Sequence, residues 1–492
     1  MAIICLNICA NKTLYGFLVY DWGHKYLFCF IGGSYFVSTF HYLQIMTAKS
    51  NQLNLFDLSM IVVSLVIGMG IFRNPASVAA TSGNSSIFFL VWTVGGLIAL
   101  CGALTYAEIG LRLPAMGGYY KVFAECYHPA VGFTVNALIL ISNAASLAVV
   151  ALIGADYVSD LLFGAPSGIF FNTGISIVAV ALFYVVNLFG LKTSSRTLNV
   201  LIVIKIGLVI LLIASIFKGV MIEPRGYEIN SPLFTLSDKS ALSLFLISLI
   251  PVCFSYGGYQ QSINFGSEVK STKILPKGII IGITIVVILY LLINYSYTQV
   301  IGYDKMKNAS AIGSLLCEAW FGKAGGKVFD ALMFLSVLAY VHILLMSNPR
   351  VMYAMSQDKV FPKIFSYRSP KSQALVAGLT TFALITIVIT FFGKGVDNIL
   401  NFTMFLDSIG MSTSAATIFI LRKRKQNQQM VTGTWNRFTP LFAGFFVFSY
   451  FMVAVGVVIK NLDAALIGIG LLALLLGIYY IFYFKKANAT EE

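Results

Sequence analysis

The residues best equipped for chemistry lie alone in apolar surroundings. Lys205 sits within NVLIVIKIGLVILLIASIF, a segment with no acidic residue. Asp407 sits within FTMFLDSIGMSTSA, three residues before Gly410. Ser142 and Asn143 interrupt one apolar run, and His342 another. A charge at the centre of a bilayer costs at least about 3 kcal/mol, so Lys205 and Asp407 are expected to face an interior and to act there. Burial disfavours the charged form of a lysine and can turn it into a group that gains and loses a proton. The plainer alternative is a lysine that snorkels to the interface, roughly ten residues from the start of its span at Ser195. Asp407 has three readings that the sequence leaves open: a gate partner for Arg73, a second titrating group, or a satisfied carboxylate beside a kink at Gly410. A lone buried histidine such as His342 is more often a packing residue than a ligand.

The backbone carries as much potential chemistry as the side chains. In DLSMIVVSLVIGMGIFRNPA, Gly68-Met69-Gly70 interrupts a β-branched run, and Pro75 follows. In SLFLISLIPVCFSYGGYQQSINF, Gly257-Gly258 lies between Tyr256 and Tyr259, with Pro251 upstream. Glycines at mid-span weaken a helix and free backbone groups, which lipid does not tolerate but a buried solute site does. Interrupted spans at matching positions of two halves point to a transporter's binding site. The half-helix from Ile71 onward presents free N–H groups that suit a carboxylate. Unwound carbonyls around Ile67, Cys253 and Phe254 suit an ammonium group. A solute with both charges is an α-amino acid. A Cβ at Gly70 is expected to fill the space that solute approaches. Tyr256 and Tyr259, three apart, are expected to face one cavity, with Ser255 just before them and Ser142 and Asn143 as further lining. No acidic residue lies near either break in sequence, which disfavours cationic substrates. The alternative is that the glycines are only close-packing notches.

These groups need a membrane scaffold to position them. Apolar residues make up 58% of the 492 and charged residues only 11%, less than half the charge of a soluble domain. Apolar stretches of roughly 20 residues recur near 54–80, 86–111, 130–160, 168–190, 195–217, 240–266, 276–301, 326–355, 373–393, 396–421, 437–459 and 463–484. About twelve transmembrane helices are therefore expected. The net charge of +14 is no sign of nucleic acid, because alternate loops carry most of it. One side holds Lys192, Arg196, Arg350, Lys359, the run Arg422-Lys423-Arg424-Lys425, Lys485 and Lys486, and such loops stay in the cytoplasm. The termini of the twelve-span unit are expected inside, in the cytoplasmic membrane. Glu108 and Arg112, one turn apart at the inner end of the second span, form either a gate pair or a helix-surface salt bridge.

Residues 1–45 stand apart. Residues 26–45 could just span a membrane, but a thirteenth span would invert the termini, and the stretch makes a poor signal peptide. The preferred expectation is a mis-assigned start, with translation from Met46; the alternative is a membrane-embedded extension. The expected division is 1–45, a transporter core at 46–425 with repeats near 54–217 and 240–421, and 426–492 as the last two spans and a short tail. The cysteines show neither disulfide nor metal-ligand spacing, and nothing calls for a cofactor.

Four stretches carry a family resemblance. GMGIF, LTYAEIGLRLPAMGGYYKVFAECYHPAVGF, CFSYGGYQQSINFGSEVKSTKILPKGI and SNPRVMYAMSQDKVFPKIF follow one another from about residue 50 to 425. Together they resemble the amino acid–polyamine–organocation superfamily, closest to its L-amino acid transporter branch. The resemblance implies an all-α membrane fold with an inverted five-plus-five repeat and broken helices 1 and 6. It implies alternating-access transport of L-amino acids, neutral ones first, with no enzyme activity. It aligns Phe254 with an aromatic lid over the substrate and places Lys205 where proton-coupled members carry the coupling lysine. Covalent partner subunits in that branch attach through a cysteine between spans 3 and 4. DYVSDLLFGAPSGIFFN has none, so no covalent subunit is expected. Proton symport, amino acid exchange and, as a separate class, an amino acid sensor on the same scaffold are the readings to be separated.

Overall fold

The structure is a computed structural model. It describes strands within residues 3–37 and then residues 54–113, 118–163, 168–189, 204–214, 239–265, 269–271, 273–307, 312–393, 395–424 and 435–481. Lys192, Arg196, Lys425, Lys485, Lys486 and both ends of the expected fifth span lie outside the described residues.

The chain divides into two compact units, a small one of residues 1–54 with 268–270, and one that holds the rest. In the small unit, β1 (Ile3–Leu6), β2 (Tyr15–Asp21), β3 (His24–Ile31) and β4 (Ser34–Val37) form an antiparallel sheet in chain order. Residues 24–31 and 34–37 are thus in strands, where a thirteenth span would need a helix. Their aromatic and β-branched content favours a strand. Ile31 pairs with Ser34, and Gly32-Gly33 between them is the kind of sequence that closes a two-residue hairpin.

The large unit is built from helices. The first span is bent by 43° between α1 (Leu55–Val66) and α2 (Gly70–Thr81). There follow α3 (Ser85–Arg112), the short α4 (Gly118–Cys126), α5 (Pro129–Phe163), α6 (Ile169–Leu188) and α7 (Ile204–Ala214). The second broken span comprises α8 (Lys239–Tyr256) and a 3-10 segment, Tyr259–Phe265. Beyond it lie α9 (Ile274–Val300), the four-residue α10 (Tyr303–Met306) and α11 (Ile312–Gln357). The last are α12 (Val376–Phe392), α13 (Val396–Lys423), α14 (Trp435–Lys460) and α15 (Leu462–Tyr479). Among the described residues, nine helices are long and apolar enough to cross a membrane, and the bent pair makes a tenth. The shorter α7 and α12 occupy the places of the expected fifth and ninth spans.

Packing explains which helices tolerate a break. α2 lies on α8, α1 lies on α9, and α5 packs against both α11 and α13. The broken segments are enclosed by protein: Leu58, Val62, Ile71, Phe72 and Ile250 are fully buried. By contrast α6, α14 and α15 expose large apolar side chains such as Phe170, Phe451 and Ile467, which suits lipid contact. Unpaired backbone at membrane depth is tolerated only within such an enclosure.

Candidate functional site

The first break leaves donors unused. After Val66, Ile67 N–H still reaches Val63 O at 2.8 Å, and Gly68 N–H turns back onto Val66 O at 2.6 Å. The helix restarts with Phe72 N–H on Met69 O at 3.1 Å. Among the described residues, the N–H groups of Met69, Gly70 and Ile71 have no backbone acceptor, and no side chain caps the start of α2. The first-turn N–H groups of a helix carry partial positive charge. Gly70 itself serves packing: a Cβ there would come within 2.8 Å of Ser255 Cα. It therefore lets α2 touch α8, rather than only clearing ligand space as expected. At Gly68 a Cβ would meet only Val66 O, at 3.8 Å, so the open position is Gly68.

The second break is closed by the protein's own groups. Gly258 has a φ of +112°, and a Cβ there would overlap the Leu65 carbonyl. Its N–H donates to Gln260 Oε1 at 2.8 Å, and Gly257 N–H donates to Phe254 O at 3.2 Å. The Tyr290 hydroxyl lies 3.0 Å from Val66 O and 3.1 Å from Ser255 O, so one donor serves the carbonyl ends of both α1 and α8. Asn74 ties the restarted helix to the same place, donating to Pro251 O and to Ser255 Oγ, each at 2.9 Å.

A cavity lies between the breaks. Its walls include Gly68, Met69 and Gly70 from the first and Phe254, Ser255, Gly257 and Gly258 from the second. Asn143, Ser146, Tyr340, Gln260, Gln261 and Asp407 complete the polar part of the wall. Ile67, Ile71 and Cys253 do not line it and are buried at 2%, 0% and 3% exposure. Tyr256 and Tyr259 do not share the cavity. The Tyr256 hydroxyl donates to Trp92 O at 3.3 Å, and its ring packs on Trp92 and Tyr290. The Tyr259 ring meets Tyr106 edge-on at 6.0 Å. The expectation took helical spacing across Gly257-Gly258; the positive φ at Gly258 breaks that spacing, and both rings pack against α3.

Asp407 corrects two further expectations. It is remote from the breaks in sequence, yet α13 brings it to the cavity wall, so the site does contain an acidic residue. Ser142 Oγ donates to it, and Ser142 also reaches Thr403 O at 3.3 Å. Arg73 is not its partner. Arg73 Nε lies 3.9 Å from Asp156 Oδ2 on α5, and Asn172 supports Asp156 with a 2.7 Å hydrogen bond. Asn143 donates to Asn348 Oδ1 at 2.8 Å. From Asp407, Asn143, Gln260 and Gln261 a second cavity continues past Asn136, Ser347 and Asn348.

Lys205 is 3% exposed, and its Nζ donates to Ser64 O at 3.2 Å, one turn before the first break. It neither snorkels nor pairs with a carboxylate among the described residues. Glu108 and Arg112 make a buried pair at 2.7 Å, and Arg422 of α13 joins them with Nε 2.8 Å from Glu108 Oε1. That is an interhelical cluster, beyond the surface salt bridge that spacing alone allows. His342 packs on Phe183 and shares a 3.1 Å hydrogen bond with Asn187, the packing role expected of a lone buried histidine.

The sequence profile of the amino acid permease family matches residues 53–482. The chain belongs to that family. The permease resembles the serine/threonine exchanger SteT of Bacillus subtilis, 26% identical over 449 residues, which cover 87% of this chain and 96% of the relative. It is 27% identical to the human cystine/glutamate transporter over 438 residues, 86% of this chain and 83% of the relative. The branched-chain amino acid permease BcaP of Bacillus subtilis is 26% identical over 337 residues, 65% and 70% of the two chains. The family is one of membrane transporters and not of enzymes.

Proposed function

We propose that this permease carries L-amino acids across the cytoplasmic membrane by alternating access, as a secondary transporter. The observation that carries the reading is the uncapped start of α2, whose Met69 and Gly70 line a cavity between two broken helices. A substrate carboxylate completes the bonds that the helix leaves open. The ammonium group is taken to meet backbone carbonyls at the breaks, and Phe254, which lines the cavity, to cover the substrate. The proposed architecture is twelve spans with both ends of the core inside, and spans 1–5 and 6–10 as inverted repeats. Residues 1–45 are proposed to be dispensable for transport, which expression from Met46 with uptake as readout would test.

Coupling runs through Lys205. In the state described, its ammonium donates to the Ser64 carbonyl beside the break. A charge so buried is stable only while that acceptor is in place, and a rearrangement of the first span that removes it favours loss of the proton. Uptake would then be proton-coupled. Exchange of one amino acid for another is the second reading, favoured by the relative named as a serine/threonine exchanger. Flux into proteoliposomes at fixed internal pH, with external pH stepped from about 5 to 8, separates them. Proton coupling predicts faster uptake as external pH falls, and loss of that dependence in Lys205→Ala. Flux indifferent to the gradient, yet requiring internal amino acid, establishes exchange and makes Lys205 a structural charge.

A further inference from the structure

The wall of the cavity at the breaks contains a carboxylate, Asp407, with no ion-pair partner among the described residues. Asp407 is held by Ser142. The cations nearest the ends of the bundle are engaged elsewhere: Arg73 with Asp156, and Arg112 and Arg422 with Glu108. Tyr340 of α11 lines the same cavity as Asp407. Tyr340 has its own partner in Ser146, at 2.8 Å. A carboxylate in low dielectric needs more than one hydroxyl donor to offset its lost hydration.

The amides beside it complete a pattern. Gln260 spends its Oε1 on the Gly258 N–H, which leaves its Nε2 as a donor. Asn143 gives one Nδ2 hydrogen to Asn348, which leaves its second N–H as a donor and its Oδ1 as an acceptor. Both residues and Asp407 line the cavity at the breaks and also the cavity that continues from it. The wall thus offers an anionic acceptor, a neutral acceptor and a neutral donor together. A hydroxyl or primary amide can both donate and accept, and so can use all three kinds of group. An aliphatic side chain would leave them dry and unpaired.

We propose that Asp407, with Asn143 and Gln260, forms the side-chain subsite, and that it selects amino acids ending in a neutral hydrogen-bond donor, a hydroxyl or a primary amide. The inference rests on the transport reading above and names the substrate class for that same site. A site built to hydrogen-bond a substrate group rejects the isostere that lacks it, because its own polar groups are then stranded.

The test is competition uptake into proteoliposomes of the full chain, with near-isosteric pairs: L-threonine against L-valine, and L-asparagine against L-leucine. The wild type should favour the polar member of each pair by about tenfold or more, the value of one hydrogen bond to a charged group. Asp407→Leu should bring the ratios close to one. Asp407→Asn, which can still accept from Ser142, should fall between. The ratios are internal to each variant, so a change in overall activity does not obscure them. Wild-type ratios near or below one overturn the proposal without any variant, as does a wild type in which L-lysine outcompetes all four. If the wild type takes up valine and leucine as readily as threonine and asparagine, the subsite fails while transport stands. If it takes up no amino acid, the transport reading fails and this inference with it.

Discussion

The two breaks look alike in sequence, glycines at mid-span with a proline nearby, yet the structure uses them differently. The first leaves the Met69 and Gly70 amides without a backbone acceptor among the described residues, beside a cavity. The second satisfies itself: Gly258 N–H on Gln260, Gly257 N–H on Phe254 O, and Ser255 O beside the Tyr290 hydroxyl. One break is a mouth and the other is a wall. A glycine pair in a membrane helix therefore says that backbone is freed, and its neighbours decide whether a ligand or the protein itself takes up the freed groups.

That contrast can be broken by mutation, beginning where the effect is largest. Gly258→Ala adds a Cβ onto the Leu65 carbonyl at a φ of +112°. Backbone strain alone costs about 1–3 kcal/mol, and the overlap adds to it. Loss of folded protein in detergent, read by size-exclusion profile and thermal melt, is the expected outcome. A variant that melts like its parent would show that the wall is not closed in this way. Tyr290→Phe is next. It removes the donor to Ser255 O at the end of α8, at about 1–3 kcal/mol for a buried unsatisfied group, leaves Val66 O with the Gly68 N–H alone, and should lower the melting temperature.

Gly68→Ala probes the mouth instead. Its Cβ meets only Val66 O at 3.8 Å, so the fold should hold while amino acid affinity falls about tenfold through overpacking of the bound state. Unchanged affinity would move the substrate away from this backbone. The smallest effect belongs to Tyr256→Phe. It removes one 3.3 Å hydrogen bond to Trp92 O, worth about 0.5–1.5 kcal/mol. Because Tyr256 does not line the cavity, affinity should stay within about twofold, the spread of ordinary context effects. A large loss of affinity would return Tyr256 to the site.

Much of this was readable from residue order. Apolar length gave the helices of the large unit, and the glycine runs marked where spans 1 and 6 stop. Lys205 stood out because a charge in an apolar run is costly, and it is buried. What escaped was everything that depends on which helix lies beside which. Asp407 lies some 150 residues from the second break in sequence, and only the packing of α13 on α5 brings it to the cavity. The reading of Asp407 as a partner of Arg73 missed Asp156, one of two acids on a helix whose facing direction no motif declares. Tyr290 carries no signal in ILYLLINYSY, although its hydroxyl bridges two helix ends. Side-chain periodicity misplaced Tyr259 for a local reason, since the spacing rule fails at the glycine with positive φ. The strands His24–Ile31 and Ser34–Val37 were missed because length and hydropathy alone do not separate a marginal span from two aromatic strands.

The claim that the α2 amides hold a substrate carboxylate is tested most directly on the ligand. Competition against uptake of a transported L-amino acid would compare that unlabelled amino acid with its methyl ester, which keeps the ammonium and side chain and loses the anion. The account predicts that the ester competes at least about 100-fold more weakly, the value of two charge-assisted hydrogen bonds. An ester that competes as well as the free acid would contradict it.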